Sequence, residues 1–175
     1  SGADLSGAYL PEANLAGANL AGAYLTGAYL TGAIGVQPER STPLLMLRDQ
    51  PGPIRAYKLV TAEMVGPFTG GLTYAVGESY SVTDASTDVT RACAAGLNVA
   101  TLDWCLQNWQ EGFRVLIVEF TVADIAAIPT ATDGKFRCHR FRVVGEKDIS
   151  ALVPATEPMR RTRRGCHTLR HTVAP

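Results

Sequence analysis

From Ala3 to Gly32 the pattern Ala-x-Leu-x-x recurs six times without a break, as ADLSG, AYLPE, ANLAG, ANLAG, AYLTG and AYLTG, and a decayed seventh unit, AIGVQ, starts at Ala33. A fixed short period dictates architecture before any local propensity does. A period of five suits neither regular structure. On an α-helix five residues advance about 500°, so successive leucines step round by roughly 140° and define no face. On one continuous strand an odd period sends Leu5, Leu10 and Leu15 to alternate sides. The pattern is satisfied when each unit is a short extended side followed by a corner, because Ala and Leu, two apart, then point inward together. Gly7, Gly17, Gly22, Gly27 and Gly32 fall at the last position of their units, where a corner bends most easily without a Cβ. The chain therefore coils around a ladder of leucine and alanine.

These units resemble the pentapeptide-repeat family, whose members form a right-handed, four-sided β-helix with four repeats in each coil. The resemblance implies that residues twenty apart stack on successive coils, with Tyr9 over Tyr29 and Asp4 over Tyr24. The repeat occupies residues 1–37 and makes fewer than two coils, a stack about 10 Å tall at ~4.8 Å between strands. Such a short solenoid needs its ends covered. Ser1-Gly2 fits the last two positions of a preceding unit and no methionine starts the chain. The expectation is a piece of a longer repeat protein, or else an N-terminus left by cloning.

With 46% hydrophobic residues in 175, the remainder can build a core of its own, as one domain plus an appendage. Formal net charge is zero and the pI is near 6.8, so the whole molecule has no bias toward nucleic acid or membrane. The charge is unevenly spread. Residues 154–175 carry five arginines and one glutamate, a balance of +4 that leaves −4 for the rest. No stretch approaches the roughly 20 apolar residues of a membrane span, and nothing at the start reads as a secretory signal. Cys93, Cys105, Cys138 and Cys166 lack a close-spaced pattern, and a chain of this size can bury a core without disulfides. The expected compartment is the cytoplasm of a bacterium or a phage-infected cell, with no membrane partner.

Residues 38–53, rich in proline and polar turns, read as the exit from the solenoid, and the apolar run from Leu44 to Leu47 suits a cap over the last coil. Residues 54–150 have the texture of an α+β domain. IRAYKLV from Ile54 and the segments around LTYAV and SYSVT predict strands, with turns at Gly70-Gly71 and Gly77-Glu78. Asn98 predicts the N-cap of a helix running to about Gln110, with Val99, Leu102, Cys105, Leu106 and Trp109 on one face and Gly112 past its end. FRVLIVEF predicts a strand too apolar to have a wet face, and Asp133-Gly134 a turn into KFRCHRFRVV. In that strand Phe136 and Cys138 are apolar at even positions, Phe141 and Val143 at odd ones. A β-bulge near His139 and Arg140 would turn both halves to one core, while Arg137, Arg140 and Arg142 argue against burial on both faces. The expected fold class is mainly β with some α: a short right-handed quadrilateral β-helix, then an α+β domain, then a basic tail over residues 151–175.

A second resemblance rests on IRAYK near Ile54, C-x-x-G-L-x-V-x-T from Cys93 to Thr101, VLIVEF, ADIAAIP from Ala123 to Pro129, and KFRCHRFRVVGE from Lys135 to Glu146. Together these resemble a small domain of phage and actinobacterial proteins, including rIIB-like phage proteins, over about residues 54–149. The resemblance implies a phage or mobile-element context and supplies no mechanism. Members of that family tend to carry Gly-Leu-His-Val where this chain has Gly96-Leu97-Asn98-Val99, and the departure removes the imidazole that would suggest acid–base chemistry.

Catalytic constellations are weak. Cys166, His167 and His171 supply three ligand types, but two are adjacent and no Cys-x-x-Cys accompanies them, so no metal is expected. Cys138-His139 are neighbours on a strand and point to opposite faces. No Gly-rich phosphate loop appears, no cofactor is implied, and Asp124, Asp133, Glu146 and Asp148 suit turns and strand ends. DNA mimicry by a repeat column demands length and acidic faces, whereas residues 1–37 hold only Asp4 and Glu12 as acids. Arg160, Arg161, Arg163 and Arg164, with Arg170, could neutralise phosphates or lie against the acidic remainder of the molecule or an oligomeric neighbour. Two functional classes stand. One is a non-enzymatic protein-interaction or assembly module, self-associating or bound to a protein partner through an exposed column of Tyr9, Tyr24 and Tyr29. The other is a small-molecule-binding or enzymatic domain with a pocket beside Asn98, Lys135, Arg137 and His139.

Overall fold

The computed structural model describes residues 3–15, 23–30, 33, 42–68 and 71–153. Seven strands make one antiparallel sheet: β1 (Ile54–Val60), β2 (Ser79–Ser81), β3 (Leu97–Ala100), β4 (Arg114–Phe120), β5 (Ile125–Ala127), β6 (Lys135–Cys138) and β7 (Arg140–Glu146), in the order β2-β7-β4-β1-β3-β6-β5. The centre is the long pair β1 and β4, in register from Ile54 opposite Phe120 to Val60 opposite Arg114. These are the two segments richest in branched and aromatic residues, which fit a pleated, buried surface.

His139 alone separates β6 from β7, yet β4, β1 and β3 lie between them in the sheet. Laid flat, four inter-strand steps would span about 19 Å, whereas two residues of extended chain reach no more than about 7 Å. The sheet therefore curls round until the kinked strand joins its two flanks, without closing its hydrogen-bond ladder. Its inner face holds the main core, including Ile54, Val60, Leu97, Val99, Leu116, Val118, Phe136, Cys138, Phe141 and Val143.

The parity change near His139 is thus accommodated by a break between two strands rather than by a bulge. His139 N–H donates to Asp124 O at 2.7 Å and its carbonyl accepts from Val82 N at 2.9 Å, so the residue ties the two flanks together. Register shifts fall between Ile117 and Val118, opposite Gly145 and Val143, and between Ile125 and Ala127 of β5, opposite Cys138 and Arg137. β6 is also buried on both faces, with Arg137 fully enclosed, contrary to the reading of its arginines.

Three further expectations change. Asn98 does not cap a helix: it lies in β3, opposite Arg137, because Leu97 and Val99 alternate into the core. The helix, α1, is the short Leu102–Gln107 with Thr101 at its N-cap. It covers a second core on the outer face of the sheet, formed by Leu59, Ala100, Trp104, Cys105 and Val115. LTYAV contributes only a bridge between Val65 and Thr73, while SYSVT supplies β2. β4 has a wetter outer face than its composition suggests, for Ile117 and Glu119 are half-buried and Glu119 accepts from Arg55 Nε at 3.2 Å.

In the repeat segment, parallel bridges join Asp4 to Tyr24 and Tyr9 to Tyr29. Leu5 N donates to Tyr24 O at 2.8 Å and Tyr24 N to Ala3 O at 2.9 Å; Leu10 N and Tyr29 N repeat the arrangement five residues on, both at 2.8 Å. Leu25, Ala28, Leu30 and Ala33 are buried, and Ala131, in the turn before β6, joins their cluster. Gly27 N donates to Ala131 O at 3.0 Å, so the repeat is docked on the sheet's connecting turn. Glu12, with φ of 55°, takes a corner that glycine takes at Gly7 and Gly27. Residues Pro43–Asp49 form a 3₁₀ helix capped by the Thr42 hydroxyl, and Leu44, Leu45 and Leu47 pack on the inner core of the sheet.

Candidate functional site

The strands β3 and β6 bring Asn98, Lys135 and Arg137 together, with Asn98 opposite Arg137 and Ala100 opposite Lys135. The irregular chain ahead of β3 fills the space over them. Arg137 donates through Nε to Ser86 O at 3.0 Å, through Nη1 to Arg91 O at 2.7 Å and through Nη2 to Asp88 O at 2.6 Å. Burial pulls its pKa below the usual guanidinium range, with Asp88 opposing the shift. The approach is so close that a Cβ on Gly96, whose φ is +135°, would lie 3.2 Å from Ala85 Cβ and 3.5 Å from Arg137 Cβ. Asn98 Nδ2 donates to Gly96 O at 3.2 Å, and its Oδ1 is buried without a partner. Lys135 Nζ donates to Cys93 Sγ at 3.1 Å and sits 5.6 Å from the centre of the Trp104 ring. His139 is half-buried and joined to the flanks through its backbone. Arg137 and Lys135 clamp the loop while Asn98 bonds back to Gly96 and His139 is held by its backbone, and neither of the two clefts described below is lined by any of the four.

Sequence reasoning missed Lys58. Its strand parity, Ile54, Ala56, Lys58, Val60, carried the signal, since alternation puts all four on the inner face. The side chain is 8% exposed; its Nζ donates to Asn98 O at 2.9 Å and lies 4.5 Å from the centre of the Tyr74 ring. Burial pulls the amine down to about 8 and pushes the Tyr74 hydroxyl up to about 12. The buried Cys105 and Cys138 thiols are free and likewise pushed up to about 12 by burial, so neither is a poised nucleophile.

Two open clefts stand out among the described residues. The larger, about 520 Å³, lies between the chain after α1 and the segment after β7, with Trp109, Phe113, Val115, Ile149 and Val153 in its wall. The Trp109 indole donates to Phe113 O at 2.8 Å, and Arg114 Nε to Glu146 at 2.8 Å. The smaller, about 190 Å³, is lined by Ser79, Thr121, Asp124, Arg140 and Arg142 among others. Burial works against the charge on Asp124, but donors from Thr121 and the Arg140 guanidinium outweigh it and hold the carboxyl below its ordinary value. Asp124 and Arg140 are paired with each other, Glu119 with Arg55, and Arg142 Nε donates to Gly77 O at 3.2 Å. Among the described residues no group of three or more His, Cys, Asp or Glu could hold a metal ion.

The tyrosines are a different kind of surface. Tyr9 and Tyr29 stack with ring centres 5.0 Å apart and planes 5° from parallel. They are 76% and 46% exposed, and Tyr24, bridged to Asp4, is 67% exposed. Residues 1–34 match the family model described as Pentapeptide repeats, in 8 copies. The N-terminal segment carries pentapeptide repeats. No curated protein and no solved structure matches the chain. The pentapeptide match ends well before β1, so the phage-domain resemblance of residues 54–149 rests on its motifs alone. The pentapeptide segment thus presents its tyrosines on a frame fixed by the bridges and by Ala131. Arg160, Arg161, Arg163 and Arg164 lie outside the described residues, as do Cys166, His167 and His171.

Proposed function

We propose that this chain is a non-enzymatic protein-interaction or assembly module of phage or bacterial origin, acting in the cytoplasm. In this reading the pentapeptide segment is a short right-handed, four-sided β-helix held against the curled sheet, and its outer wall is the contact surface. The observation that carries it is the exposed, stacked pair Tyr9 and Tyr29 with Tyr24 nearby. Aromatic rings of this kind are enriched at protein interfaces, and rings already held in place lose little freedom on binding. The alternative of a small-molecule or enzymatic site had its residues at Asn98, Lys135, Arg137 and His139, and three of these side chains already serve the protein's own chain. The test is cross-linking and light scattering of the wild type and of the Tyr9→Ser/Tyr29→Ser variant, with capture from bacterial and phage-infected lysates. A self-association or a captured partner that the double variant loses is expected. A strict monomer that retains nothing, or a variant that retains as much as the wild type, overturns the reading.

A further inference from the structure

The smaller cleft opens on the outer face of the sheet where β2, β7 and β4 run side by side. Arg142 stands opposite Ser79 on one side and Glu119 on the other. Strand alternation turns all three side chains outward, because Tyr80, Phe141 and Val118 pack on the inner core. Glu119 and Arg142 are therefore cross-strand neighbours of opposite charge, an arrangement that ordinarily closes into an ion pair. They do not pair. Glu119 Oε2 accepts from Arg55 Nε at 3.2 Å, and Arg142 Nε donates to Gly77 O at 3.2 Å. Glu119 Oε1 and the terminal nitrogens of Arg142 are left without a partner among the described residues. A second guanidinium is held in place beside them. Arg140 donates through Nε and Nη2 to Asp124 Oδ1, at 3.0 and 2.9 Å, and Thr121 donates to the other carboxylate oxygen through its amide and its hydroxyl. Arg140 Nη1 remains for a ligand.

The charged groups lining the cleft are Glu119 and Asp124 against Arg140 and Arg142, a balance that favours a ligand carrying both signs over one of net charge. Its volume, about 190 Å³, is below the ~300 Å³ at which ordinary ligand pockets begin, so the ligand it takes is small.

We propose that this cleft binds a small zwitterion of the α-amino acid class, its carboxylate accepting from the terminal nitrogens of Arg140 and Arg142 and from the Ser79 hydroxyl, its ammonium donating to Glu119 Oε1. Bonds in which both partners are ionised are short and demanding in geometry, and the ligand would complete the Glu119 and Arg142 pair that the fold leaves open. The site uses none of the tyrosines of the repeat segment, so it stands or falls separately from the reading of that wall.

The test is an NMR titration of the full chain with L-alanine at constant ionic strength, read at the amides of Ser79, Glu119 and Arg142. Saturable shifts are expected. Propionate and ethylamine, each lacking one charged group of alanine, should bind about ten-fold more weakly. Arg142→Gln and, separately, Glu119→Gln should each weaken alanine by about ten-fold, with the Leu97 and Val99 amides unmoved as the sign that the core is intact. Arg55→Gln removes a charge from outside the cleft and should leave the affinity within about two-fold. Absence of a saturable shift overturns the inference. So does propionate that binds as tightly as alanine, which reduces the cleft to an anion site, and so does an equal loss in Arg55→Gln, which reduces it to surface charge.

Discussion

Lys58 puts an amine where the strand pattern calls for an aliphatic side chain, and the pH dependence of that choice can be worked out. Its folded pKa, about 8, lies below the ordinary 10.5. Between those values the unfolded chain holds the proton that the folded one has lost, so stability rises with pH across that window. Below it, the charged amine costs roughly 3 kcal/mol. Cys105 and Cys138, held as thiols up to about 12 against 9.0, act oppositely: their contribution is present below pH 9 and is lost as pH rises toward 12. The Lys58 effect is therefore read as a difference. In urea unfolding, the wild type should gain roughly 3 kcal/mol relative to Lys58→Met between pH 8 and 10.5. A difference that stays constant with pH would mean that water reaches the amine. Arg137 poses the converse case, a charge with three carbonyls and no carboxylate at hydrogen-bond distance. Arg137→Met strands those acceptors and should cost about 2–3 kcal/mol, with trypsin then cutting at Arg91 far faster than in the wild type. Unchanged cleavage at Arg91 would show that the loop holds itself.

Elements were legible in the sequence to the extent that their information is local. The five-residue period called for extended sides and corners with Ala and Leu pointing inward, while the stacking of residues twenty apart, seen in the bridges Asp4 to Tyr24 and Tyr9 to Tyr29, followed only from the resemblance to pentapeptide repeats. IRAYKLV and FRVLIVEF were readable because each is a full strand of apolar, β-forming residues. Leu97 to Gln107 was misread because a four-residue strand runs into a six-residue helix, and the helical spacing of Leu102, Cys105 and Leu106 was extended backward over Val99. The clamp on Arg137 left no periodic trace at all, since its partners are backbone carbonyls of irregular chain, which every residue possesses. The corner at Glu12 belongs to this scale as well. A non-glycine residue in the left-handed region costs about 1 kcal/mol, so Glu12→Gly should stabilise the repeat by about that much, less the added freedom of the unfolded chain. The check is protection of the Leu10 and Ala13 amides in hydrogen exchange, which should increase in the variant; a decrease would mean that the Glu12 side chain makes a contact worth more than the strain.

At the scale of the whole molecule, the order of strands could not be read from the sequence, because β6 and β7 are consecutive in the chain and lie on opposite flanks of the curled sheet. The same curl leaves the turn before β6 at the sheet's margin, where Ala131 enters the repeat cluster and accepts from Gly27. The described repeat residues meet the sheet at this turn, so their folding should be coupled to the sheet through it. Ala131→Lys forces a long charged side chain into the space shared with Ala28 and Leu30, both 1% exposed, while the inner core of the sheet is untouched. The expected outcome is uncoupling: amides of residues 24–30 lose their protection, and the stacked Tyr9 and Tyr29 rings become independently mobile, while the β1 and β4 amides keep theirs. If protection were lost in both parts together, the sheet would depend on the repeat as much as the repeat on the sheet. If it were kept in both, the parallel bridges at Asp4 and Tyr9 would suffice, and the turn at Ala131 would be a point of contact without being the anchor.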